Sequence, residues 1–165
     1  MNDALLAQEL AAAFILDAPL AALFTAPSSE PAAAPVVNIY GQQSGFVQTR
    51  PVLSIFGEYQ SYGPRRMGTV SFEVRSNMGE AGNHAAAFGA VFEKLFGEVG
   101  ADDAATRANL AAARAAVIAA VGARSSAEII AFGRAPGDTV IADGENGDLR
   151  TVITARVVWR FKAEV

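Results

Sequence analysis

Residues 69–75 read Thr69-Val70-Ser71-Phe72-Glu73-Val74-Arg75, with apolar and polar side chains alternating without a break. Successive side chains of a strand point to opposite faces. Val70, Phe72 and Val74 therefore share one face, and Thr69, Ser71, Glu73 and Arg75 share the other. Strict alternation is the mark of an antiparallel strand with one dry face and one wet face.

Working outward, Pro51 to Tyr62 is a second strand, with Leu53, Ile55 and Tyr59 on one side and Ser54, Glu58 and Gln60 on the other. Gly57 is expected to mark a bulge. The turn segment Gly63-Pro64-Arg65-Arg66-Met67-Gly68 joins the two strands as a hairpin. A long strand, Leu149 to Lys162, sets Ile153, Ala155, Val157, Trp159 and Phe161 on one face, with Thr154, Arg156, Arg160 and Lys162 opposite. At roughly 3.4 Å per residue it exceeds about 40 Å. That is more than a small core requires, so it is expected to project or to pair with a neighbouring chain.

The dry faces need a cover. Phe88, Val91, Phe92, Leu95 and Phe96 recur at helical spacing and predict an amphipathic helix over 83–96, ended by Gly97 and Gly100. Asp102 is placed to cap a second, alanine-rich helix over 103–121, closed by Gly122, with a seam of Leu110, Ala113, Val117 and Val121. A further helix is expected at 3–24, interrupted near Pro19, followed by a Pro-rich linker over 26–35. Short strands are expected at Val36–Tyr40 and Thr139–Ala142, with a polar loop over 41–50 between the first of these and Pro51. Residues 125–132 carry both a capping-box pattern, Ser125 to Glu128, and the strand-like run Ile129-Ile130-Ala131-Phe132; the strand is preferred. No internal repeat is present. The fold class is α+β, a single domain over 1–165: a mainly antiparallel sheet with two to three helices on one face.

Composition narrows the function. Of 165 residues 52% are hydrophobic and only 18% are charged, which argues for a folded domain over a disordered chain. Alanine supplies much of the apolar fraction, so the core is modest. A net charge of −4 lacks the basic surface that displaces counterions from nucleic-acid phosphates. With no cysteine there is no disulfide, thiolate metal site or cysteine nucleophile. The apolar runs Ala11–Phe24 and Leu110–Ala123 fall short of the ~20 residues of a membrane span. Asp3 and Glu9 stand where a secretory leader needs basic residues. The expectation is a cytosolic chain.

Candidate chemistry is thin. His84 is the single histidine, and no G-x-S-x-G motif accompanies it, so it is expected to be solvated or capping. Asp143, Glu145, Asn146 and Asp148 offer oxygen ligands without the spacing of a calcium loop, and a hairpin turn explains them better. The glycines near 79–82 and 97–100 match no phosphate-binding pattern. No catalytic residues, cofactor or metal are assigned, and the chain is expected not to be an enzyme. Five cations remain as candidate partner-interface residues. Arg65 and Arg66 sit at the hairpin tip, either solvated or docked to an acidic partner. Arg156, Arg160 and Lys162 form a basic strip, either binding a partner or paired across strands with Glu73 and Arg75.

The order of these elements resembles one family. An Ala/Leu-rich helix carries Leu16-Asp17-Ala18-Pro19-Leu20-Ala21-Ala22-Leu23. A Pro-led strand, Pro51-Val52-Leu53-Ser54-Ile55, is followed by a polar hairpin and Thr69 to Val74. A helix then runs Ala85 to Leu95, and a long strand follows, Thr151 to Phe161. This is similar to the tail-terminator (tail-completion, minor tail) proteins of siphophages and myophages. The resemblance implies a virion protein assembled in the host cytoplasm. It would form a hexameric ring that stops tail-tube growth and joins the tube protein to the head connector protein. DNA would pass through its lumen and no membrane would be involved. The family has no catalytic residues to carry over. The alternative is a binding module, such as a tail-assembly chaperone or a head-tail connector adaptor.

Overall fold

The computed structural model describes residues 18–24, 38–39, 51–77, 79, 81–124, 127–135, 139–143 and 148–162. The expected helix over 3–16, the 26–35 linker, the 41–50 loop and most of the 143–148 loop lie outside them. In chain order the elements are α1 (Ala18–Ala21), β1 (Asn38–Ile39), β2 (Val52–Tyr62), β3 (Arg65–Asn77), α2 (Ala81–Phe96), α3 (Asp103–Arg124), β4 (Ala127–Arg134), β5 (Thr139–Asp143) and β6 (Asp148–Phe161). The α+β class holds. Among the described residues no helix is long and apolar enough to cross a membrane.

The six strands make one sheet in the order β1-β2-β3-β6-β4, with β5 also on β6. Every pairing is antiparallel except β1 with β2, which is parallel. The alternation of residues 69–75 translates directly into burial: Val70, Phe72 and Val74 are fully buried. On β6, Ile153, Ala155, Val157 and Trp159 point the same way and are buried with them.

The length of β6 has a different use from the one expected. It neither projects nor waits for a neighbour. All of it except Phe161 pairs with β3, from Arg65↔Arg160 to Asn77↔Asp148. Its other edge pairs with β4 over 155–161 and β5 over 148–152. β4 and β5 therefore run in one direction along the same edge as a single interrupted strand. Between Arg134↔Ala155 and Thr139↔Val152 they spend four residues, 135–138, where β6 spends two, 153 and 154. The Ala135 amide still donates to the Thr154 carbonyl at 2.9 Å. A second correction concerns Gly57, which sits in unbroken register opposite Val70. The sheet's irregularity falls instead between Ile129 and Ala131.

The hairpin turn is also tighter than expected. Gly63 and Pro64 alone connect β2 to β3, and residues 65–68 already belong to the strand. Gly63 has φ +60°, and the proline ring fixes a negative φ at the next position. Of the two turns that match strand twist, only type II′ accepts that pair of signs.

One face of the sheet carries all the described helices. Leu20 and Phe24 from and beside α1, Val91, Leu95 and Phe96 from α2, and Val117 and Val121 from α3 join the strand residues in one core. Each large side chain buried there contributes about 1.5–3 kcal/mol. The line on α2 that faces the sheet most closely is His84, Ala87, Val91 and Leu95. Phe88 and Phe92 are half-buried beside it. Ala87 explains the rotation, because its small side chain lets the helix approach the strands. The rings of Phe88, Phe92 and Phe96 then form a ladder at 6.1 and 5.2 Å, and Phe96 stacks on Phe132 at 6.1 Å.

Gly97 ends α2 as expected, with φ +80° and its amide on the Glu93 carbonyl at 2.7 Å. Asp102 caps α3 through the Ala105 amide at 2.8 Å. Gly122 does not stop α3, which runs on to Arg124; the expected end at 121 was early. The two glycines predict opposite outcomes. A Cβ at Gly97 would lie 2.5 Å from the Asn109 carbonyl oxygen, whereas one at Gly122 would meet nothing within 4 Å. Gly97→Ala is expected to lose at least ~2 kcal/mol, from left-handed strain and the displaced helix. Gly122→Ala is expected to gain about 0.5–1 kcal/mol. Urea denaturation of both variants checks the pair, and equal behaviour would refute the assignment of the two conformations.

Candidate interaction surface

The sheet's second face carries no helix among the described residues. On it lie Met67, Thr69, Ser71, Glu73 and Arg75 from β3, and Arg150, Val152, Thr154, Arg156, Val158 and Arg160 from β6, by the pleat and the pairing. β4 adds Glu128 and, beyond its irregularity, Ala131 and Gly133.

The five candidate cations are not brought together as one patch. The pleat separates Arg65 from Arg66. Arg65 is exposed on the open face, directly opposite Arg160. Arg66 turns to the helix side, where its guanidinium lies 5.1 Å from the Trp159 ring and 4.7 Å from the Phe161 ring. There it closes the end of the core by cation–π contact. Arg160 pairs with Glu128 across strands, Nε to Oε2 at 2.7 Å. Both partners are well exposed, so the pair is worth little. Lys162 leaves the face altogether and donates from Nζ to the Gly122 carbonyl at 2.5 Å. A cation among the last carbonyls of a helix is well placed against the helix dipole.

Arg156 remains. It is exposed, and its cross-strand neighbours are Thr69 on β3 and Gly133 on β4. Neither offers a carboxylate. Among the described residues Arg65 and Arg156 take part in no ion pair. The expected pairing of Glu73 does occur, but with Arg150 rather than the 156–162 strip. Glu73 is only 8% exposed, and this contact supplies the partner that a buried carboxylate needs.

Beside Arg156 the open face is hollowed into a groove of about 730 Å³, lined by Gln60, Met67, Thr69, Ala131, Gly133 and Val158 among others. Its depth follows from residue size. Ala131 and Gly133 leave the β4 side low, while Met67 and Val158 give an apolar floor. Met67 is 49% exposed. The sequence names Arg156 but not the groove, because a groove depends on which small residues the register sets beside it. Arg150 is missed for the same reason.

On the helix face, His84 departs from expectation. It is neither solvated nor capping. It is 7% exposed, with Nδ1 2.5 Å from Ser76 Oγ and Nε2 2.8 Å from Thr151 Oγ1. Burial holds its pKa below the ordinary 6.5. A hydroxyl on each ring nitrogen suits the neutral imidazole, which donates once and accepts once. The arrangement ties α2 to β3 and β6. Among the described residues no three His, Asp or Glu side chains converge as metal ligands. No protein-family model matches the sequence, and no curated protein matches it.

Proposed function

We propose that this chain is a structural assembly protein whose copies join into a ring, of the kind that ends a phage tail tube and joins it to the head connector. The observation that carries this reading is the open sheet face, with its apolar groove and with Arg65 and Arg156 in no ion pair among the described residues. A monomer gains nothing from an apolar groove beside such cations, whereas a subunit uses one as a contact. The element order, which resembles that of tail terminators, suggests the identity of the assembly. Tail tube protein and head connector protein are then the partners, in a particle assembled in the host cytoplasm.

Light scattering coupled to size-exclusion chromatography tests the reading. The expected result is a closed oligomer of fixed subunit number, formed alone or on adding tail tube protein. A strictly monomeric species under both conditions overturns it. Mass spectrometry of purified particles separates a terminator, held at low fixed copy number, from an assembly chaperone, absent from them.

A further inference from the structure

The turn between α2 and α3 carries an exposed apolar residue in an ordered setting. Val99 is 84% exposed, the highest value among the large apolar residues described. The backbone on both sides of it is fixed. Asn109 Nδ2 donates to the Glu98 carbonyl at 3.0 Å, and the Gly100 amide donates to Thr106 Oγ1 at 3.0 Å. Gly97 is locked against the Asn109 backbone, and Gly100 against Ala105. The residues flanking Val99 on the surface are acidic: Glu98, Asp102 and Asp103, all exposed. Glu98 and Asp103 have no ion-pair partner among the described residues. A rigid, apolar tip ringed by carboxylates is the complement of an apolar groove beside arginines without carboxylate partners.

The two features sit on opposite sides of the subunit. The helices cover one face of the sheet and the groove opens on the other. The tip therefore cannot fill its own groove, but it can fill another's. From this complementarity we infer that the α2–α3 turn of one copy docks into the sheet groove of the next. Val99 enters against Met67 and Val158, and Glu98 and Asp103 meet Arg156 and Arg65. Contact between two different patches is heterologous, the kind that closes into a ring. The pinned turn loses little freedom on docking. Val99 supplies buried area, and the charges set register more than affinity. The inference rests on the ring reading and specifies its interface.

The absence of cysteine from the chain makes the test clean. Met67→Cys and Val99→Cys each place a single thiol at an exposed site, and the two proteins are mixed in equal amounts with a short bis-maleimide. Mixed dimers, in which the thiol of a Met67→Cys chain is linked to the thiol of a Val99→Cys chain, are expected to dominate. Arg156→Glu and Glu98→Arg are each expected to shift the oligomer to monomer in light scattering. Mixing or combining the two changes is expected to restore assembly. If the native protein assembles but same-site dimers dominate, or no cross-link forms, the docking is wrong and the ring reading stands. If tail tube protein shields the Met67→Cys thiol while no mixed dimer forms, the groove belongs to the tube, and the docking is again overturned. A native protein that stays monomeric overturns both.

Discussion

Trp159→Ala is expected to lower the unfolding free energy by about 3–5 kcal/mol, the usual range for emptying a buried tryptophan site. Trp159 has no exposed surface, and it lies on β6, an interior strand of the sheet. Its ring packs edge-on against Phe161 at 5.0 Å and beneath the Arg66 guanidinium at 5.1 Å. Its cross-strand neighbours are Arg66 on β3 and Ile129 on β4. Alanine would leave a void bounded by three strands whose positions are set by their neighbours, so collapse into it is limited. Arg66 would also lose one of its two rings. Against a typical stability of about 5–15 kcal/mol the loss is a large share. For a domain this size it corresponds to a melting point lower by roughly 6–20 °C. Trp159→Phe, which keeps a ring, is expected to retain more than half of the lost stability. Calorimetry of the two variants measures both effects, and a loss under ~1 kcal/mol for alanine would contradict the packing described.

The pattern of residues 69–75 was sufficient to place Val70, Phe72 and Val74 inside, because a period of two needs no knowledge of partners. The same holds for Ile153 to Trp159 on β6, and for the caps Asp102 and Gly97, whose roles are local. What local pattern could not carry was pairing. That β6 lies between β3 and the broken β4–β5 edge is decided by contacts 83 residues apart in the chain, such as Ser71 Oγ with Thr154 Oγ1 at 3.3 Å. Without that register, a long strand reads as a projecting one. The basic strip fails for the same cause. Parity put Arg156, Arg160 and Lys162 on one face, but Glu128 and the end of α3 then claimed two of the three. Only Arg156, opposite a threonine and a glycine, was left without a partner among the described residues. The groove and the Val99 tip were invisible for a related reason. One is made by small residues from separate strands, and the other by a turn whose rigidity comes from Asn109 and Thr106.

His84 is where the second large effect is expected. His84→Ala removes the acceptor and donor shared by Ser76 and Thr151, which are 7% and 3% exposed. Two buried hydroxyls without partners cost about 1–3 kcal/mol each, so a loss of roughly 2–6 kcal/mol is expected. The native protein should also show a pH dependence that the variant lacks. The cause is burial rather than hydrogen bonding, since both hydroxyls can accept from an imidazolium as well as from imidazole. In the unfolded chain the ring protonates near 6.5; in the folded chain burial lowers that value. Below 6.5 the unfolded state thus binds a proton that the folded state refuses, and stability falls with pH. The contribution of His84 is complete above 6.5 and is lost as the pH drops through the lowered value. Urea midpoints of native protein and His84→Ala, taken between about pH 7.5 and 5.5, isolate this term from the carboxylates, which titrate lower. A steeper decline in the native protein than in the variant is expected. Parallel curves would mean that the ring is free to take up its proton in the folded state, and that α2 is not held to β3 and β6 through a neutral histidine.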